Sequence, residues 1–452
     1  MTPPKPPSRP DRVPLWRYAR LFRADLLSAQ PARLYRAWMA EFRTPFFRSF
    51  LVNQPDLVAE VLKKRPGDFP KSDRVAEGLR PILGNSVFLT NGATWQRQRR
   101  IIDPAFEGGR LRDTFGAMQA AALACADRLA PGEVEIEAEA SHAAADVIFR
   151  TLFSIPIEHE MAAEVFAQFR AYQQAQPIVN LAALIPLPRW MPRFLPRRAR
   201  IAGRRIRALI TALTEARLAE IAAGTAPDDL ATKIMTTRDP ETGETFTAAE
   251  MVDQVAIFFL AGHETSASAL GWTLYLLATH PEWQERLAGE IAAAGEIGFS
   301  DLSKLRLTRD VFRESLRLYP PVPMMVREAA QAERFRDRVV PKGSQIVLSP
   351  WHLHRHERIW EAPDVFDPAR WQSENGRHGL REAYMPFSAG ARVCTGAGFA
   401  MMEGVLLLAE ILRRYRVEPV AGRMPEPVAH LTVRSRTGIW LRLEERSGPP
   451  LS

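Results

Sequence analysis

Cysteine is scarce in this sequence. Cys125 and Cys394 are the only two among 452 residues, which excludes a disulfide scaffold. This usage is typical of a reducing compartment, and we expect a cytoplasmic protein. Cys125 lies in an alanine-rich helical pattern and is expected to be a core residue.

Long apolar runs are absent as well. No stretch of about 18 or more apolar residues occurs, and we therefore expect neither a transmembrane helix nor a membrane anchor. Residues 1–14 are rich in proline and lack the apolar segment of a signal peptide, which predicts a disordered tail. No flexible linker, repeat or low-complexity block divides residues 15–452, which are expected to form a single domain.

Clustered positive charge is the third absence. The net charge is +8, but the arginines are spread along the chain and no basic run contains interleaved aromatic residues. This distribution argues against nucleic-acid binding. It favours a basic face that docks an acidic partner protein.

One of the two cysteines has an ordered local context. Cys394 is surrounded by an aromatic residue, two glycines and an arginine, namely Phe387, Gly390, Arg392 and Gly396. A helical pattern follows at residues 397–414, which predicts a tight loop where N–H groups of a helix N-terminus favour the thiolate. A single thiolate excludes a four-thiolate zinc site and an iron–sulfur cluster, but it suits an axial ligand of haem iron. A buried structural cysteine is the alternative.

A long helix is predicted in the second half of the chain. A capping box at residues 247–250 opens a helical pattern that runs to Thr279, and a helix of this length spans roughly 50 Å. Its centre combines Gly262, which weakens a helix interior by about 1 kcal/mol, with Glu264 and Thr265. Polar groups in an apolar wall indicate a bound ligand and a proton path. A solvated Glu beside a Thr that bonds its own helix explains this segment equally well.

The remaining pattern is mainly helical with short strands, which predicts an α+β fold with small β-sheets. Residues 16–42 are predicted to be helical, residues 66–91 irregular, and residues 177–196 an apolar lid broken by prolines. A strand pair is expected at Phe46–Asn53, and a β-hairpin at Leu431–Leu443.

Two pairs of residues have helical spacing. Trp95 and Arg99 lie at i, i+4, and Glu314 and Arg317 lie at i, i+3. Each pattern alone is typical of a solvated helix face. For the first pair, the alternative is an indole N–H and a guanidinium that reach two carboxylates of a bound group.

Taken together, these motifs resemble the cytochrome P-450 family of haem-thiolate monooxygenases from about Phe46 to Leu443. The cysteine loop fits the family's Phe-x-x-Gly-x-Arg-x-Cys-x-Gly pattern at every specified position. The segment from Ala261 to Thr265 resembles the oxygen-binding stretch of the family's long central helix. Ser388, Glu264 and Trp371 replace more usual residues without removing a group that the chemistry needs.

The resemblance implies a mainly helical fold in which a long central helix covers haem b (iron protoporphyrin IX). Cys394 would ligate the iron, Phe387 would shield its sulfur, and Gly396 would complete the loop. The haem carboxylates would bind four side chains: Trp95, Arg99, Arg327 and Arg392. Glu314 and Arg317, together with Arg370, resemble the family's structural Glu–Arg–Arg triad.

The same resemblance implies roles for the central helix. Ala261 and Gly262 would leave room for dioxygen. Thr265 would hydrogen-bond dioxygen during its activation, and Glu264 would relay protons through water.

The implied reaction is hydroxylation of a hydrophobic molecule, such as a lipid or terpenoid, by a monomeric enzyme. Two electrons would come from a separate ferredoxin or flavodoxin-type donor. The donor would dock on four arginines near the cysteine: Arg97, Arg100, Arg110 and Arg112. The substrate pocket would include Phe258 and residues 322–326.

Two other functions are compatible with the motif set. A peroxide-driven peroxygenase is disfavoured by the Glu264–Thr265 pair, because such members of the family usually lack it. A haem-thiolate sensor or binding protein would bind haem tightly without turnover.

Overall fold

The longest helix organises the molecule. In the computed structural model, which describes residues 2–43, 48–175 and 197–446, this helix spans Ala248–Thr279. The predicted capping box is present, since Thr247 and Glu250 exchange side-chain and backbone hydrogen bonds. Most of the helix is buried on every face, as expected of a core helix rather than an amphipathic surface helix.

The helices are α1 (Leu15–Ala24), α2 (Pro55–Ala59), α3 (Asp73–Leu83), α4 (Gly92–Ile102), α5 (Gly108–Arg128), α6 (Ile136–Phe153), α7 (Glu160–Ala175), α8 (Arg197–Ala223), α9 (Leu230–Thr236), α10 (Ala248–Thr279), α11 (Pro281–Ala294), α12 (Arg306–Leu318), α13 (Pro350–Leu353), α14 (Glu374–Glu382) and α15 (Ala397–Arg414). Within the described residues, α6, α8, α12 and α15 pack against α10. None of the helices in these ranges combines the length and apolar character needed to cross a membrane.

The strands are β1 (Met39–Arg43), β2 (Arg48–Val52), β3 (Gly132–Glu135), β4 (Met325–Glu328), β5 (Glu333–Phe335), β6 (Arg338–Val340), β7 (Gln345–Leu348), β8 (Tyr415–Pro419), β9 (Pro427–Ala429), β10 (Val433–Ser435) and β11 (Trp440–Glu445). One sheet has the order β1-β2-β7-β4, with β2 and β7 parallel, and a second has the order β3-β11-β8. The pairs β5–β6 and β9–β10 are antiparallel. The expected α+β class with small sheets is confirmed.

Several local predictions were wrong. Residues 39–42, predicted to be helical, belong to β1 because they pair with β2, for example Ala40 with Leu51. Residues 73–83, predicted to be irregular, form α3, since Leu79 and Ile82 bury one face of an amphipathic helix against the core. Composition rich in turn formers suggested a loop there, but tertiary packing overrides it.

The predicted C-terminal hairpin is also wrong. β10 pairs with β9, whereas β11 pairs with β3 and β8, so the two strands lie in different sheets. The turn between them exists, and Gly438 has the positive φ of 76° that the turn requires. Sequence identifies such a turn locally but does not choose the partner strands.

The proline-rich beginning is packed on the body over residues 2–14, in contrast to the predicted disordered tail. The Arg9 guanidinium donates to Ala29 O, and the Tyr319 hydroxyl donates to Pro4 O at 2.7 Å. Lys5 forms an ion pair with Asp364. The predictions for Phe46 and for the apolar segment 177–196 lie outside the described residues.

Candidate active site

The loop around Cys394 is a tight turn ahead of α15, as predicted. Its closing bond runs from Cys394 N–H to Phe387 O at 2.9 Å. Gly390 has φ 68°, and a Cβ there would lie 2.0 Å from Leu62 O, so only glycine fits. The loop geometry therefore follows directly from the glycine pattern of the sequence.

The Cys394 thiol is accessible although the surrounding protein desolvates it. Burial raises the pKa of this thiol, while an N–H of Gly396 and the charge of Arg99 oppose the increase. The side chain is nevertheless exposed, so a ligand is able to reach the sulfur. A metal cation at the sulfur would deprotonate it outright, as coordinated thiols are. The position suits a thiolate ligand.

Beside the loop, Lys71 and Arg392 lie over the indole of Trp95, and Arg327 lies next to them; we call Lys71, Arg327 and Arg392 the cationic cluster. The Lys71 ammonium lies 5.7 Å and the Arg392 guanidinium 5.3 Å from the Trp95 ring centroid. Arg327 joins the cluster through β4, which forms a bridge to Lys71. The sequence missed Lys71, an isolated lysine in a segment read as irregular, and no local pattern marks it.

The cationic cluster lacks a negative partner among the described residues. None of its members forms an ion pair there, and the Nε atoms of Arg327 and Arg392 are buried without hydrogen-bond partners. Burial, reinforced by the neighbouring arginines, lowers the pKa of Lys71 to about 6. Burial also lowers the pKa of Arg327 to about 10. Such a cluster fits a group that carries two carboxylates, as a haem does.

Arg99 has a different environment from the cluster. Its guanidinium pairs with Asp103 at 2.7 Å and donates to Val393 O at 2.8 Å. It therefore braces the cysteine loop from α4, in addition to lying 5.8 Å from the Trp95 ring centroid. The predicted helix that carries Trp95 and Arg99 is observed as α4.

On α10, Ala261 is exposed and Thr265 half-buried, although the helix around them is buried. The Thr265 hydroxyl donates to Ala261 O at 2.6 Å, which leaves its lone pairs free to accept. Gly262 has a packing role. A Cβ there would lie 2.5 Å from Ile148 Cδ1, so the glycine lets α6 approach α10.

Glu264 is directed towards β10. Its Oε2 accepts from Arg434 Nη2 at 2.8 Å and from the Thr432 hydroxyl at 3.0 Å. Burial would raise the pKa of Glu264, but the charge and hydrogen bond of Arg434, together with His263 and Thr432, outweigh burial and hold the pKa below its usual value. The sequence anticipated that a buried Glu264 needs a partner, and it did not identify Arg434 as that partner.

The Glu–Arg–Arg triad is assembled behind the cysteine loop. Glu314 pairs with Arg317 at 2.8 Å and with Arg370 at 3.2 Å, and none of the three side chains is appreciably exposed. Arg317 also donates to His354 O and Val365 O. The triad thus ties α12 to the coil that precedes the loop.

The four arginines proposed to dock an electron donor are engaged within the molecule. Arg97 pairs with Glu250, and Arg100 forms a bidentate pair with the buried Asp239. Arg110 pairs with Asp228, while Arg112 lies over the ring of Phe299. Carboxylates of this chain therefore compensate the charges of Arg97, Arg100 and Arg110, and these three do not form the free basic face that the sequence suggested, whereas Arg112 contacts an aromatic ring.

Comparison with known proteins identifies the family. The family model described as Cytochrome P450 matches residues 35–441. The chain is 33% identical to cyclooctat-9-en-7-ol 5-monooxygenase of Streptomyces melanosporofaciens over 90% of its length and 87% of the relative's. It is 32% identical to cyclooctatin synthase of the same organism over 85% and 84%, respectively. It is 31% identical to human cytochrome P450 4A11 over 87% of its own length and 79% of the relative's.

This match covers the central helix, the triad and the cationic cluster. It ends within β11, beyond the cysteine loop. The family binds a haem-thiolate cofactor and uses a substrate, dioxygen and a redox partner. The chain therefore belongs to the cytochrome P450 family and is an oxidoreductase of the monooxygenase type.

Proposed function

We propose that this protein hydroxylates a hydrophobic substrate. One oxygen atom of dioxygen enters a C–H bond, and the other is reduced to water with two electrons and two protons. The observation that carries the proposal is the unpaired cationic cluster next to the Cys394 loop, because two buried carboxylates of a cofactor would neutralise it.

The cofactor is haem b, and each of its polar groups has a partner in this chain. Cys394 would be the thiolate ligand, with the Gly396 N–H as a donor that tunes the sulfur. Trp95, Arg327 and Arg392 would bind the carboxylates, and Lys71 extends the set that the sequence predicted. Bound in this way, haem supplies the electron transfer and oxygen activation that no side chain provides.

The residues of α10 would handle protons and dioxygen on the opposite side. The Thr265 hydroxyl, fixed by Ala261 O, would accept or pass a proton without moving its backbone. Glu264 would supply protons from its buried position behind Thr265. The exposed methyl surface of Ala261 would leave the wall of the site small and apolar.

The substrate would be a lipid, a terpenoid or a similar molecule with few polar groups. Half-buried apolar side chains support this class, since Phe258, Val322 and Met324 are each accessible in part. The names of the two Streptomyces relatives specify cyclooctat-9-en-7-ol and cyclooctatin, which supports the same class.

Electrons would come from a separate ferredoxin or flavodoxin-type protein, and the enzyme would act as a monomer. The free thiols of Cys125 and Cys394 are consistent with a reducing compartment such as the cytoplasm.

The test is the carbon monoxide difference spectrum of the reduced, purified protein. We expect Cys394→Ser to abolish the thiolate-type band, because an alcohol oxygen does not replace a thiolate ligand. Cys125→Ala, which alters the other cysteine in the core of α5, should keep the band. A thiolate band that persists in the Cys394→Ser protein would overturn the proposal.

Measurements of product formation distinguish the two alternative functions, a peroxygenase and a sensor or binding protein. A peroxygenase would form product from substrate and peroxide as efficiently as with dioxygen and an electron donor. A sensor or binding protein would give the carbon monoxide band and substrate-dependent spectral shifts but no product under either condition.

A further inference from the structure

Arg434 of β10 is shared by two buried carboxyl groups. Its Nη2 donates to Glu264 Oε2 at 2.8 Å, and its Nη1 donates to Glu137 Oε1 at 3.4 Å. Glu264 lies on α10 next to Thr265, and Glu137 lies in the first turn of α6. The two carboxyl groups therefore face each other across one guanidinium.

One guanidinium cannot neutralise two buried carboxylates. Burial raises the pKa of Glu137. Burial also acts to raise the pKa of Glu264, but the charge and hydrogen bond of Arg434, together with His263 and Thr432, outweigh it and lower that pKa. Two buried carboxyl groups that share one cation favour a state in which one carboxyl is protonated and the other ionised. Of the two, Glu137 is the better placed to hold the proton and Glu264 the better placed to be ionised.

The other charged or titratable groups near this pair leave that balance unchanged. His263 Nε2 lies 3.9 Å from Glu264 Oε1, and burial lowers the pKa of His263 to about 4, so the ring is neutral near pH 7. Arg170 on α7 repels a proton on the same ring. Glu135 accepts from backbone N–H groups at the start of α6 and lies near Glu137.

The pair connects the surface with the candidate active site. The Arg434 side chain is 23% exposed, while Glu264 and its hydroxyl partner Thr432 are buried. Arginine retains its own protons at physiological pH, so it serves as a fixed charge and not as a carrier. The Thr432 hydroxyl, 3.0 Å from Glu264 Oε2, is able to receive one proton as it gives another.

We propose that Glu137 and Glu264 hold one proton between them across Arg434 and that this pair supplies protons to the Thr265 side of α10. The proton passes from the Glu137 carboxyl to Glu264 through water or the Thr432 hydroxyl, and the Arg434 charge stabilises the carboxylate left at Glu137. Glu137 is reprotonated from solvent. This inference rests on the proposed function, because it assigns the source of the protons that the reaction consumes.

The decisive variant is Glu137→Gln, with Glu139→Gln as its matched control. Glu139 lies on the same helix but forms an exposed pair with Arg128, away from Arg434. In Glu137→Gln, Arg434 is left with Glu264 alone and holds it more firmly as a carboxylate. We expect the product formed per electron pair to fall several-fold and the solvent deuterium isotope effect on turnover to rise. Glu139→Gln should match the parent.

Two further readouts distinguish proton supply from a structural role. In the parent, the product formed per electron pair should decline at alkaline pH as the pair loses its shared proton. In Glu137→Gln, this decline at alkaline pH should be absent. In the infrared spectrum of the resting holoenzyme, one protonated carboxyl component should be lost in Glu137→Gln and kept in Glu139→Gln, whereas the component of the buried Glu403, whose pKa burial raises to about 8, should remain in both. Arg434→Lys should retain more coupling than Arg434→Gln.

The outcomes separate this inference from the proposed function. A parent protein without a thiolate-type carbon monoxide band, or without product, would refute the proposed function itself. If the parent shows the carbon monoxide band and forms product, but Glu137→Gln changes neither the coupling, its decline at alkaline pH nor the infrared band, the shared-proton pair alone is refuted.

Discussion

The carboxylate of Glu314 and the guanidinium of Arg317 lie 2.8 Å apart on one turn of α12, and neither side chain is exposed. The same spacing on a surface helix would contribute a few tenths of a kcal/mol. Here Arg370 also bonds Glu314, and Arg317 holds three backbone carbonyls of the segment that leads to the cysteine loop. The pair is therefore structural, and the stability of this region depends on the presence of both side chains.

Glu314→Gln should destabilise the protein strongly, because it leaves two buried guanidinium groups without their carboxylate. We expect a loss of about 3–5 kcal/mol in the free energy of unfolding, measured by urea denaturation. Glu60→Gln disturbs an exposed i, i+4 pair with Lys64 and should cost less than about 0.5 kcal/mol. Equal losses in the two variants would contradict the structural role of the triad.

Lys71→Met should weaken haem retention. Lys71 is half-buried beside Arg327 and Arg392, and a hydrogen bond to a charged group contributes about 1.5–3 kcal/mol. We expect transfer of haem to a scavenger protein to accelerate about tenfold or more. Lys342→Met, at an exposed turn, is the control. Unchanged transfer would remove Lys71 from the carboxylate-binding set.

Thr265→Ala should uncouple electron consumption from product formation. Loss of one hydrogen bond of about 1 kcal/mol corresponds to roughly a fivefold change. Thr273→Ala is a matched control, since Thr273 also donates to the carbonyl four residues earlier on α10 but is buried elsewhere. The measurement is product per electron pair, and Thr265→Ser should retain most of the coupling. Full coupling in Thr265→Ala would exclude a role for the hydroxyl.

Glu403→Gln should change how stability depends on pH. Glu403 is buried between α15 and α10, where it accepts from Ser266, and burial raises its pKa to about 8 from 4.5. The folded state therefore binds more protons than the unfolded state between these values, so stability falls as pH rises, by about 1.4 kcal/mol per unit at most. Unfolding free energies measured from pH 5 to 8 should decline less steeply in Glu403→Gln than in the parent. The exposed Glu426→Gln serves as the control.

Lys63→Glu should slow reduction by an acidic electron donor at low salt. Lys63 is exposed, and its backbone packs against Gly390 of the cysteine loop. Reversal of one steering charge should lower the association rate about 3- to 10-fold, and added salt should erase the difference. Lys342→Glu is the control for net charge. Arg97→Glu should reduce stability instead, since it places a carboxylate against Glu250.

Local chemistry allowed several features to be predicted from the sequence. The capping box fixes the start of α10, because its two hydrogen bonds involve residues three positions apart. Gly390 and the adjacent helix fix the cysteine loop for the same reason. The long helices, the α+β class and the family motifs also depend on short-range spacing.

Only the tertiary structure decided which distant groups meet. Lys71 joins Arg327 across 256 positions of sequence. Arg434 reaches Glu264 and Glu137 from β10, which pairs with β9 and not with β11 as the predicted hairpin required. The sequence likewise did not predict that Arg97 and Arg100 pair with carboxylates of other segments. Helix caps and turns are determined by neighbouring residues, whereas strand partners and buried charge pairs depend on the global packing that brings remote segments together.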